Sequence, residues 1–420
     1  MRARRPHTKS RTGCLYYKRR KVKCDETRPS CFQCTRHGVA CSLAPQSPID
    51  TVVASSDTSG DAQSSSLPNL THSNPGTPKE NTPVPADCLP FLSYPNTQDL
   101  MIPFSSHEMW SHDWELMHHY CTVTAESLSY RKDLAHVWAV VIPRLGYQHS
   151  FIMHGVLGMA AAHKAYLISA KRKTYILLAD YHQTLGSKGY RQYLHDYTLS
   201  YWMPALSFAS IVILHMLTLP LRKDHGISED PIGDVVNLAG LLRGIRMTLQ
   251  PVMKRMVKTE FAPFIFGVWL DSIDEMESYP SLDDSGIPTD TWAVYQQLRG
   301  FQESRIPIGS LHKYSEALDK LETCAKLFSV TGIHTEVGAV QFWLYGIDDT
   351  IIMDLAALEP HALLLFAHYL VYWAVLETRL WYMRNWSYEI LTKIEEALAY
   401  RPEFLEKLRW PKQRVVEILK

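Results

Sequence analysis

The constraint with the widest reach lies between Gly13 and Cys41, GCLYYKRRKVKCDETRPSCFQCTRHGVAC. Five of the chain's eight cysteines crowd this stretch: Cys14, Cys24, Cys31, Cys34 and Cys41. Cys31-x2-Cys34-x6-Cys41 is one half of a repeat, and Cys14 with Cys24 would frame the other half if position 17 were cysteine. Position 17 is Tyr17. Clustered cysteines at this spacing are metal ligands rather than a disulfide framework, which would spread them more evenly. The remaining three, Cys88, Cys121 and Cys324, are scattered, as in a reducing, intracellular compartment.

Charge is distributed as unevenly as cysteine. Residues 1–41 carry twelve Lys/Arg against Asp25 and Glu26, a net of +10, so the rest of this neutral chain carries −10. A concentrated basic arm on an acidic body predicts a polyanionic partner for the arm. The N-terminal MRARRPHTKSRTG has no apolar run behind it and does not read as a signal peptide. The sequons at Asn69 and Asn385 then carry no meaning.

Zinc takes four ligands in a tetrahedron, and six thiolates hold two zinc ions when two of them bridge. Residues 13–41 resemble the fungal binuclear zinc cluster on four features: Gly13-Cys14, the KRRKVKCD run from Lys18 to Asp25, the loop Arg28-Pro29-Ser30-Cys31, and the second half-repeat. The resemblance implies that Cys14 and Cys31 bridge two zinc ions. One ion then has Cys14, Cys31, Cys34 and Cys41. The other has Cys14, Cys24 and Cys31 and lacks its fourth ligand at Tyr17, whose phenol ionises only near pH ~10. Water, Tyr16 or His37 could complete that shell, and the expectation is a weakened or vacant first site beside an intact second one. The resemblance also implies a short helix that reads CGG-type sites in the major groove of double-stranded DNA, a role in transcription of RNA polymerase II genes, and a nuclear location. Arg20 and Lys21 fall at the base-proximal positions, and Lys18, Arg19 and Lys23 at phosphate-contacting ones.

The expected fold class is a small zinc-cluster module, a disordered linker and an all-α helical regulatory domain. Residues 1–12 form a basic arm and 13–43 the cluster. Residues 44–106 form a Ser/Pro/Thr-rich linker, most biased from 44 to 87 and transitional from 88, too poor in apolar residues to offset its ordering entropy. From 107 to 420 the apolar period is helical. The candidate helices span 112–128, 151–171, 174–201, 204–217, 230–250, 307–330, 335–358, 361–384 and 385–400, with a loop over 273–292. No heptad follows the cluster, no fixed-period repeat appears, and no alternating strand pattern is found. The uncharged stretch from Tyr197 to Leu221 has the length of a membrane span, but Pro204 and Pro220 divide it and a buried core helix reads the same way. It is assigned to core.

The body resembles the regulatory domain of the sterol uptake control subgroup of these regulators. The matching patches are His112 to Tyr120 (HDWELMHHY), Phe151 to Leu157, Ala160-Ala161-Ala162-His163, Trp381-Tyr382 with Trp386, and Trp410-Pro411. That resemblance implies a domain that dimerises and binds a sterol or other apolar small molecule. From the residues alone, the uncharged stretches Ala205–Leu219 and His361–Leu376 could line a pocket or simply fill the core.

Two other classes were weighed. Asp348-Asp349 with Asp354 is similar to the magnesium-binding aspartates of terpene cyclases, but no second metal motif, phosphate-cradling loop or G-x-S-x-G elbow accompanies it, so no enzyme is expected. The run His107-Glu108-x3-His112 has the wrong spacing for a zincin helix, and His118, His119, His154 and His163 read as ordinary helix residues. The remaining alternative is a regulator that has lost DNA binding and works through its helical body, for instance as a partner of a DNA-bound protein.

Overall fold

Pro360–Glu377 is apolar on every face, and the helical body is built around it. The computed structural model describes residues 14, 31, 41–42, 103–195, 202–222, 229–266 and 279–420. The chain divides into two compact units, Met1–Lys79 and Glu80–Lys420. The linker expected over 44–106 lies outside the described residues up to position 102.

The longer helices of the second unit are α1 (Ser106–His119), α2 (Lys132–His136), α3 (Ser150–Leu167), α4 (Arg172–His195), α5 (Trp202–Leu217) and α6 (Pro231–Leu249). They are followed by α7 (Thr291–Glu303), α8 (Ile308–Thr331), α9 (Val337–Gly346), α10 (Asp349–Ala356), α11 (Pro360–Glu377), α12 (Ser387–Ala397) and α13 (Pro402–Leu419). No strand occurs among the described residues, in agreement with the all-α expectation. Wide π-turns at Tyr120–Thr124 and Val137–Val141 extend α1 and α2, and the Tyr120 hydroxyl donates to the Trp138 carbonyl to join them.

Every residue of α11 except His361 is buried. Its partners are α13, α12, α10, α8 and α9. A helix can occupy such a place because its backbone groups satisfy one another, whereas an irregular segment would strand them. Its long side chains place their polar tips on neighbouring carbonyls: Tyr369 Oη donates to Val340 (2.9 Å) and Tyr372 Oη to Leu321 (2.8 Å). At the other side of the body α3 and α4 form an antiparallel pair so close that a methyl group on Gly189 of α4 would stand 2.9 Å from Phe151 of α3.

The expected helices are present with shifted ends, and three more appear. α1 begins at Ser106, earlier than expected, because Ser105 and Glu108 form a capping box: the Glu108 N–H donates to Ser105 Oγ and the Ser105 N–H to Glu108 Oε2 (2.8 Å). The stretch 335–358, read as one helix, is α9 and α10. Extended Ile347 separates them, Arg243 and Arg246 of α6 donate to the carbonyls of Ile347 and Tyr345, and Asp348 caps α10 through the Thr350 N–H. The stretch 361–384 is helical only to Glu377. Helices over 132–136 with 142–146, 291–303 and 402–419 were not anticipated; Pro143 sits in the first turn of Ile142–Gly146, where proline is tolerated, and Pro411 lies inside the last. No single helix among the described residues is long and apolar enough to cross a membrane, and α10 and α11 meet at 100°.

Glu377, only 2 % exposed, joins the end of α11 to the start of α12. Its carboxylate accepts from the Asn385 N–H (3.0 Å), the Ser387 N–H (2.6 Å) and the Ser387 hydroxyl. Burial pushes its pKa up while these donors pull it down. Removing an acceptor that serves several buried donors strands all of them. Glu377→Ala should therefore lower the unfolding free energy by ~3 kcal/mol or more in urea titration, and an unchanged midpoint would refute this role.

His368, in the middle of α11, bonds through Nδ1 to the Leu364 carbonyl (2.8 Å) and stacks on Trp410 of α13. Burial pulls its pKa down to about 4. The unfolded chain takes up this proton near pH ~6.5 and the folded chain does not. This histidine's contribution is therefore complete above pH ~6.5 and lost as pH falls toward 4, at up to about 1.4 kcal/mol per pH unit. Urea unfolding at pH 7 and pH 5 should show a larger loss for the wild type than for His368→Gln; equal losses would remove His368 as a proton-linked site.

Candidate functional site

Three of the five predicted metal ligands are described, and they converge. Cys14, Cys31 and Cys41 are buried, and their sulfurs all lie within 4.8 Å of one another. The Cys14 and Cys31 sulfurs are 3.7 Å apart. That is far from a disulfide at ~2.05 Å. It matches the edge of a thiolate tetrahedron, because two sulfurs bound at ~2.3 Å to one zinc stand about 3.8 Å apart. The Cys31 N–H donates to the Cys41 sulfur at 3.4 Å, a bond that fixes the direction of that side chain. The residues present therefore fit zinc, with Cys14, Cys31 and Cys41 as its ligands. Bound there, zinc would supply the folding free energy of a segment this small. Cys24, Cys34, Tyr17 and the basic residues Lys18, Arg19, Arg20, Lys21 and Lys23 lie outside the described residues.

The carboxylates and histidines weighed as alternative sites have separate structural duties. Asp348 caps α10, and the Thr350 contacts hold its pKa down to about 2. Asp349 pairs with Arg243, and Asp354 accepts from the Tyr314 hydroxyl (2.7 Å). Among the described residues the three cysteines are the one group of three or more metal-ligating side chains close enough to share an ion. His163 bonds to Thr124 Oγ1 and stacks on Trp381 at 4.5 Å; His154 meets His182 at 3.1 Å.

The patches that suggested a regulatory domain meet in space. Glu115 of α1 accepts from Lys164 Nζ and the Tyr175 hydroxyl, linking α1, α3 and α4. Trp381 reaches His163, Trp386 Nε1 donates to the Leu217 carbonyl (2.7 Å), and Trp410 Nε1 to Asp290 (2.9 Å). These residues join helices, which is why they carry fold information.

The body also contains a cavity of ≈ 170 Å³. Of the two stretches considered as pocket walls, α5 contributes Leu206, Ser210, Ile213 and Leu214, whereas α11 contributes nothing and is core. The sequence reading missed α9, which presents Gly338, Gln341, Phe342 and Tyr345, and Glu336, the residue before it. An i, i+3, i+4, i+7 stripe was visible there, but nothing local distinguishes a stripe facing a cavity from one facing core.

Residues 12–49 match the fungal Zn(2)-Cys(6) binuclear cluster domain. A Zn(2)-C6 fungal-type transcription factor of Aspergillus fumigatus, afumD, is 28% identical over 159 residues, 37% of this chain and 33% of that protein. A Zn(2)-C6 fungal-type transcription factor of Gibberella zeae is 29% identical over 186 residues, 38% of this chain and 36% of that protein. Sterol uptake control protein 2 of Saccharomyces cerevisiae is 48% identical over 42 residues, 10% of this chain and 5% of that protein. The chain thus spans about a third of the length of the first two relatives, and no solved structure matches it. Taken with the converging thiols, the matches identify residues 12–49 as a fungal Zn(2)-Cys(6) binuclear cluster domain, whose homologues are transcription factors rather than enzymes.

Proposed function

We propose that the chain is a zinc-dependent, sequence-specific DNA-binding transcription regulator acting in the nucleus. The observation that carries this reading is the 3.7 Å approach of Cys14 and Cys31 inside the family-matched segment, with Cys41 beside them. Cys14, Cys31, Cys34 and Cys41 make one complete zinc site, and Cys24 belongs to a second site weakened at Tyr17. Zinc binding folds the module and thereby sets Lys18, Arg19, Arg20, Lys21 and Lys23 on one short helix. Arg20 and Lys21 read the bases of a CGG-type site, and the others hold phosphates without reading sequence. The helical body is the regulatory half; dimerisation through it and control of RNA polymerase II genes, such as a biosynthetic cluster, follow the family resemblance.

The test is a gel-shift titration of the purified full chain on CGG-repeat duplexes, with zinc content measured on the same preparation. Wild type should hold about one tightly bound zinc per chain, as four thiolates allow, and Tyr17→Cys should raise both zinc content and DNA affinity. Two tightly held zinc ions in wild type would refute the weakened first site. No shift with either protein would refute the DNA-binding reading. A shift with Tyr17→Cys alone would establish instead a regulator that works through its helical body.

Salt dependence separates the basic residues. Lys23→Ala should weaken binding similarly on all duplexes and reduce the slope of log affinity against log salt by about 1. Arg20→Ala should instead cost ~1–3 kcal/mol on the CGG site and relax discrimination there. Identical effects of the two substitutions would overturn the division of roles.

A further inference from the structure

The cavity in the helical body has one wall that is not apolar. Glu336 lines it, is 5 % exposed, and precedes α9 without making a side-chain capping bond. Its Oε1 accepts from the Ser129 hydroxyl (2.9 Å), the Tyr130 N–H (2.8 Å) and the Arg131 N–H (2.8 Å), so the protein has taken up that oxygen fully. Its Oε2 is buried and has no hydrogen-bond partner in the protein. A buried carboxylate oxygen without a donor is costly, and such a group in a folded chain calls for an explanation. One α9 turn further on, Gln341 lines the same cavity, and its Nε2 is likewise buried without a partner. Apart from Ser210 of α5 the other walls are apolar: Trp138, Leu206, Leu214, Leu242, Met256 and Phe342 among them.

We propose that this cavity is a binding site for a small apolar molecule, about one ring in size, that carries a hydroxyl or amine and donates it to Glu336. Size sets the class. The volume of ≈ 170 Å³ is close to the roughly 150 Å³ of a dry cavity that takes benzene. It is well below the roughly 300–1,000 Å³ of pockets for drug-sized ligands. A sterol is larger than this volume and is not enclosed by the cavity as it stands. Chemistry sets the orientation. Three protein donors occupy Oε1 and none occupies Oε2, so Oε2 is the oxygen that a ligand donor entering among the apolar side chains bonds, after the small side-chain shift its burial requires, and Gln341 offers a second polar contact. Ligand binding would fill the space between α5, α6 and α9, and would steady the Glu336 link between the 129–131 turn and α9. The inference concerns the helical body and holds whether or not the zinc module binds DNA.

The experiment uses the full chain, with thermal melting and calorimetric titration against four probes. They are 2-phenylethanol, 2-phenylethylamine, ethylbenzene, which has the same skeleton without the donor, and ergosterol. At least one of the two donor-bearing probes should raise the melting temperature saturably and bind about tenfold or more tighter than ethylbenzene. A hydroxyl preference assigns a neutral donor and an amine preference a cationic one. Glu336→Gln should reduce that discrimination to within about threefold. Ser210→Leu, which fills the cavity from α5 without touching Glu336, should abolish binding of all the small probes while the chain stays helical. The proposal is overturned if no small probe gives a saturable shift, as for a cavity holding only water. It is equally overturned if ethylbenzene binds as tightly as the donor-bearing probes, if binding survives Ser210→Leu, or if ergosterol alone stabilises the chain.

Discussion

The helical body depends on one constraint: α11 runs through its interior with no face left for water. Each fully buried Leu along it contributes about 1.5–3 kcal/mol of transfer free energy. Its tyrosines and tryptophans bring polar atoms into the same place, and those atoms must find partners. Most of them do, Trp373 Nε1 being buried without a hydrogen-bond partner. Tyr369 and Tyr372 bond to carbonyls of α9 and α8, and Tyr295 of α7 meets Tyr372 hydroxyl to hydroxyl at 2.6 Å. Trp343 of α9 and Trp386 follow the same rule, donating to the carbonyls of Ala317 and Leu217. Large aromatic side chains thus supply apolar area and directional bonds together, so the packing around α11 is specific as well as tight.

The amino-terminal unit meets the stability problem by a different route. A segment of some thirty residues cannot bury enough apolar surface to fold unaided, and the ligand geometry shows what replaces a core. The Cys14–Cys31 edge and the Cys31 N–H directed at Cys41 have the spacing that thiolates take around a tetrahedral ion. Replacing a ligand in such a module changes its folding and its recognition together, because the same bonds support both.

Sequence patterning recovered the all-α class and most helices, because an apolar stripe of period 3.6 is a local signal. Its errors share a cause. The break between α9 and α10 is held by Arg243 and Arg246, about a hundred residues away in the chain. α13 went unpredicted although its apolar stripe Phe404, Leu408, Pro411 and Val415 is buried against the body. The capping box Ser105-x-x-Glu108 was legible in the sequence, and with it the start of α1. The D-D-x4-D run shows the opposite risk: three carboxylates close in sequence have three unrelated partners.

By itself the sequence determined the metal module, since thiol spacing, basic run and proline loop all lie within 29 residues and need no long-range contact to be recognised. It likewise determined that the body from residue 107 onward would be helical. Only the tertiary structure decided which apolar helix is core and which lines a cavity. α5 and α11 read alike in composition, and the difference lies in what packs against each. It also decided the state of Glu336, whose donors are residues 129–131, more than two hundred positions earlier. A buried carboxylate is defined by the distant atoms that surround it, and a linear pattern does not record them.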